Sequence, residues 1–75
     1  MFQKSKLKKA IKNCQKRIAL LEQKRARSQA ALVEAILRQI DPDDTDVEYF
    51  NQFTEQIEQE RNRMHDMMRL LDDLK

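Results

Sequence analysis

Few side chains here could do chemistry, and their spacing keeps them apart. His65 is the only histidine and Cys14 the only cysteine. A metal site needs ligands that converge, yet the positions one helical turn beyond His65 hold Met68 and Arg69. The stretch Asp41 to Glu48 carries carboxylates at alternating positions, as a calcium loop does. It lacks the glycine that such a loop needs at its sixth position, and Gln52 stands where the closing glutamate should be. The chain has no glycine at all, so it has no glycine-rich loop to cradle a phosphate. These residues predict a protein that is not an enzyme and takes neither cofactor nor metal.

Two further groups point toward binding. Residues 1–27 hold ten Lys or Arg against the single acid Glu22. Within them Lys4, Lys8, Lys12 and Arg17 form a basic patch that could contact phosphates, and such contacts would be salt-dependent. Apart from Phe2 no aromatic residue is interleaved to stack on bases, which favours a solvated face over a nucleic-acid groove. Leu7 and Ile11 give the same segment only a thin apolar face for lying on a lipid surface. Met64, Met67 and Met68 form a flexible apolar group, suited to filling a core or to an adaptable binding surface.

The elements that carry these residues are helices. With no glycine and one proline in 75 residues, the chain lacks the turn chemistry that strands require. Leu7, Ile11, Cys14, Ile18 and Leu21 recur at alternating steps of four and three, a heptad seam. A wider stripe of Leu32, Val33, Ile36, Leu37 and Ile40 follows after a polar break at Lys24 to Ser28. A first helix is expected over about 4–40. Asp41-Pro42 ends it, because proline disfavours the helical conformation before it and has no backbone donor. Thr45 and Glu48 stand at capping-box spacing and open a second helix over about 46–74. Its seam is Phe50, Phe53, Ile57, Glu60, Met64, Met67, Leu71 and Leu74, interrupted only at Glu60.

A short connection makes antiparallel neighbours. The expected fold is therefore all-α, a two-helix hairpin forming one domain over 1–75. Folding back at Asp41-Pro42 pairs Ile40 with Val47, Leu37 with Phe50 and Ala30 with Ile57. Glu60 then meets Arg27 as a polar layer, and residues 1–11 project past the second helix as a basic amphipathic overhang. The apolar stripes are wider than one seam can cover, which predicts an oligomer. A homodimeric four-helix bundle is the simplest closure.

The longest apolar runs are four residues, so no transmembrane helix is expected. The basic N-terminus lacks the apolar core of a secretory signal. A lone Cys14 fits a reducing compartment, and a complete cytosolic chain is the expectation. In length and helix pattern the chain resembles two kinds of small bacterial hairpin, without a shared diagnostic motif. One is the cochaperone that holds type III secretion needle subunits; the other is the Rop-type plasmid copy-number regulator, which binds RNA on a helical face. The first resemblance implies a secretion cochaperone, the second a nucleic-acid binder using the basic first helix. From the residues themselves the expected function is an adaptor or chaperone-like module that binds itself or a partner helix. Its expected contact residues are Leu7, Ile11, Val33, Ile36, Met64, Met67 and Met68.

Overall fold

The computed structural model describes residues 2–74 and is an antiparallel hairpin of two long helices. Helix α1 spans Phe2–Leu37 and helix α2 spans Asp44–Asp73. The molecule is a rod of 56 × 15 × 14 Å. Its length is that of α1 alone, about 54 Å at 1.5 Å per residue.

Helix α1 stops three residues earlier than the stripe suggested. The Gln39 N–H donates to Ile36 O and the Ile40 N–H to Ala35 O, each at 3.0 Å. These two bonds make a Schellman turn, which satisfies carbonyls that the helix end leaves open. The turn requires a left-handed residue, and Gln39 supplies it with φ of 59°. Proline at position 42 comes after the helix has already ended. Helix α2 starts earlier than the capping-box spacing indicated, because Asp43 is its N-cap and accepts from the Thr45 N–H at 3.1 Å. Asp44 and Asp46 place negative charge in the first turn, where the helix dipole favours it.

The seam of α1 runs unbroken through the stretch that looked polar. Leu7, Ile11, Cys14, Ile18, Leu21, Arg25, Ser28, Leu32 and Ala35 are all buried or half-buried, and the alternation of fours and threes never lapses. Ser28 is small enough to be buried, and Arg25 can lay its aliphatic stem along the seam. The competing stripe lies outside: Ile36 is 67% exposed and Leu37 78%, with Val33 and Ile40 also exposed. The α2 seam matches its sequence pattern from Phe50 to Leu71, with Ile57 only 1% exposed, while Leu74 at the end is open.

That change of seam moves the register. Glu60 meets Arg17 rather than Arg27, a shift of ten residues along α1. Arg27 is exposed and has no ion pair among the described residues. The shift also removes the overhang, since Gln3, Lys6 and Leu7 line one groove together with Leu70, Asp73 and Leu74. The two helices end side by side. Among the described residues no helix is long and apolar enough to cross a membrane.

Candidate functional site and interaction surfaces

Halfway along the rod, the seam holds a small polar cluster. Glu60 is on the α2 seam and its side chain is only 18% exposed. Arg17 reaches it from the flank of α1, with Nε 3.2 Å from Oε1. Arg63, one turn along α2, stands 3.9 Å from the same oxygen. The Arg17 Nη2 group also donates to Cys14 Sγ at 3.3 Å, and Cys14 is fully buried. The second carboxylate oxygen, Glu60 Oε2, is buried and finds no hydrogen-bond partner among the described residues.

Opposing effects act on this carboxyl. Burial pushes its pKa up, while the Cys14 thiol, the Arg17 guanidinium and the Arg63 charge pull it down. The net direction is down. The Arg17 guanidinium is held further above its ordinary range by its bonds to Cys14 and Glu60. A charge in an apolar seam persists when it is paired, and such pairs serve to fix register. On the other flank Arg61 donates to Glu22 at 3.0 Å. The two inter-helix pairs, one on each flank, clasp the middle of the hairpin in one alignment.

Cys14 is fully buried, whereas Glu60, on the seam, also lines an open groove with Arg17, Leu20 and Gln59. Among the described residues no group of three or more His, Cys, Asp or Glu could hold a metal ion. His65 is exposed on the outer side of α2, as its spacing predicted.

The expected contact residues divide. Ile11 is buried in the seam and cannot meet a partner without unfolding the hairpin. Met64 and Met67 are half-buried seam residues, and Leu7 is half-buried beside Leu70 and Leu74. Val33, Ile36 and Met68 are exposed. Of the basic patch, Lys8, Lys12 and Arg17 are exposed, whereas Lys4 is half-buried at a seam position. Arg17 is already engaged by Glu60.

The pattern missed Leu37, Ile40 and Leu70 as surface residues. At the bend Val33, Ile36, Leu37 and Val47 form an exposed apolar stripe, which heptad position places on one side of the hairpin. Along the opposite side run three grooves between the helices, and Leu20, Tyr49 and Leu70 lie exposed there. The Tyr49 ring stacks on Phe53 with centroids 6.0 Å apart. No protein family, curated protein or solved structure matches the chain.

Proposed function

We propose that this protein is a non-catalytic interaction module, an adaptor or chaperone-like hairpin that holds an apolar helical segment of another protein. The observation that carries this reading is the stripe Val33, Ile36, Leu37 and Val47. These side chains leave the seam and stay in water at the bend end of the rod. Large apolar groups clustered in water mark binding surfaces, because covering them removes the cost of hydrating them. The carboxylates Asp41, Asp43, Asp44 and Glu48 surround the same end, so the fitting partner is an amphipathic helix with a basic flank.

A second reading, a nucleic-acid-binding hairpin, is favoured by Lys8, Lys12 and Lys16, which are exposed and without an ion pair among the described residues. It is the weaker one, because no exposed aromatic residue accompanies those lysines among the described side chains. The two readings separate in one experiment. The tagged chain is purified from its native cell in parallel with Ile36→Ser and Lys12→Ser forms. A protein that survives high salt and is lost only with Ile36→Ser supports the adaptor. A nucleic acid that is lost with salt and with Lys12→Ser supports the alternative and rules the adaptor out.

A further inference from the structure

The three grooves repeat. On α1 they are lined by Gln3, Lys6 and Leu7, then by Arg17, Leu20 and Leu21, then by Ala31, Glu34 and Ala35. Each set stands fourteen residues after the last, which is two heptads, so all three open on one side of the rod at intervals of about 21 Å. Helix α2 follows the same interval, with Leu70, Asp73 and Leu74 in one groove and Gln56, Gln59 and Glu60 in the next.

The exposed groups on this side are arranged symmetrically about its midpoint. Lys6 and Glu34 each stand fourteen residues from Leu20, one toward each end. Leu20 shares its groove with Gln59 and Glu60. Tyr49 and Leu70 lie ten to eleven residues to either side of that pair. Both are exposed, and both lie on the line of α2 that also carries Gln56.

We propose that this side seats a second copy of the chain, antiparallel, with the two-fold axis crossing at the level of Leu20. The axis brings Leu20 against its own copy. It places Tyr49 of each chain on Leu70 of the other and Lys6 of each near Glu34 of the other. Every large apolar group exposed between the ends of this side then meets another one. A parallel copy would instead lay Leu20 over Gln59 and Leu70 over Gln3 and Lys6, apolar on polar.

Charge alone would favour the parallel copy, since it stacks basic α1 on acidic α2. Exposed charges contribute little and are screened by salt, whereas apolar burial is not. Glu34 already holds Arg38 at 2.8 Å, so Lys6 adds only a small term. The area is sufficient as well. A side of 56 × 15 Å offers roughly 840 Å², and a standard interface takes about 800 Å² from each partner. This assembly leaves the stripe at Val33, Ile36 and Leu37 uncovered, so it adds to the proposed function and does not compete with it.

The test uses the full chain. Sedimentation should give a mass of about 18 kDa, twice the 9.0 kDa of one chain, at sub-millimolar concentration. Leu20→Asp, a change at an exposed position, should weaken that association at least about tenfold while leaving helicity intact. Orientation is read by mild oxidation of single added cysteines, with the natural chain and its buried Cys14 as the control. Leu20→Cys should cross-link to itself. Leu70→Cys should not, but it should cross-link when mixed with Tyr49→Cys. A monomer mass at every concentration overturns the proposal. So does cross-linking of Leu70→Cys to Lys6→Cys in a mixture, the pair that a parallel dimer would bring together. Loss of the captured partner in Ile36→Ser with the dimer mass unchanged leaves both proposals standing, whereas a monomer that still captures its partner removes only the dimer.

Discussion

Gln39 holds a left-handed backbone that only glycine takes without cost, because a Cβ there crowds the neighbouring carbonyl. The Schellman bonds on either side hold it in place. Replacing Gln39 by glycine should raise stability by about 0.5–1 kcal/mol, read as a higher melting midpoint with unchanged helicity. A decrease would mean that the Gln39 side chain contributes more than its backbone strain costs. Glu60 carries a different prediction. Its carboxyl is depressed in the folded chain, so its charge contributes stability that is present above the ordinary carboxylate range and is lost as pH falls through the lower folded value. Acid unfolding of the natural chain should therefore have a component below about pH 4 that Glu60→Gln lacks. Arg17→Gln should shrink that component and Arg27→Gln should not, since of these two only Arg17 touches the carboxylate. Equal effects of the two arginine changes would contradict the register.

The helices, the hairpin and the α2 seam were legible in the residue pattern because each rests on strong local signals. Phe50, Phe53, Ile57, Met64, Met67 and Leu71 are large, apolar and evenly spaced. Asp41-Pro42 marks a break that any nearby turn satisfies. The α1 seam near the bend was not legible, because two stripes compete there. Val33, Ile36, Leu37 and Ile40 form the more apolar one, yet Ser28, Leu32 and Ala35 continue the heptad. Register decides between them, and register is set by Arg17 on Glu60 and Glu22 on Arg61, contacts between positions far apart in sequence. The more apolar stripe would set Glu60 against Arg27 and leave an overhang at the start of α1. The two stripes differ in a measurable way. Ile57→Ala should cost about 2–4 kcal/mol, because it empties a fully buried site in a core of few residues. Ile36→Ala should change stability by no more than about 0.5 kcal/mol. Chemical denaturation followed by circular dichroism reads both. A large loss at Ile36 would return it to the seam.

One seam makes the rod, and it leaves apolar side chains exposed on both of its sides. The basic run sits on α1 and the acids gather at the bend and along α2, so the net charge of +2 hides a strongly divided surface. Such a small chain buries little apolar area for its length, and an assembly that covers more of it gains stability that grows with the logarithm of partner concentration over Kd. The bend stripe and the grooved side are separate surfaces with separate tests, and the function proposed here stands on the first. The most direct measurement of it is photo-cross-linking in the native cell from a reactive residue placed at Ile36, with Gln23 and Lys12 as comparison positions. Position 36 should give a discrete protein adduct that positions 23 and 12 do not. Nucleic-acid adducts from position 12, with none of any kind from position 36, would contradict the account.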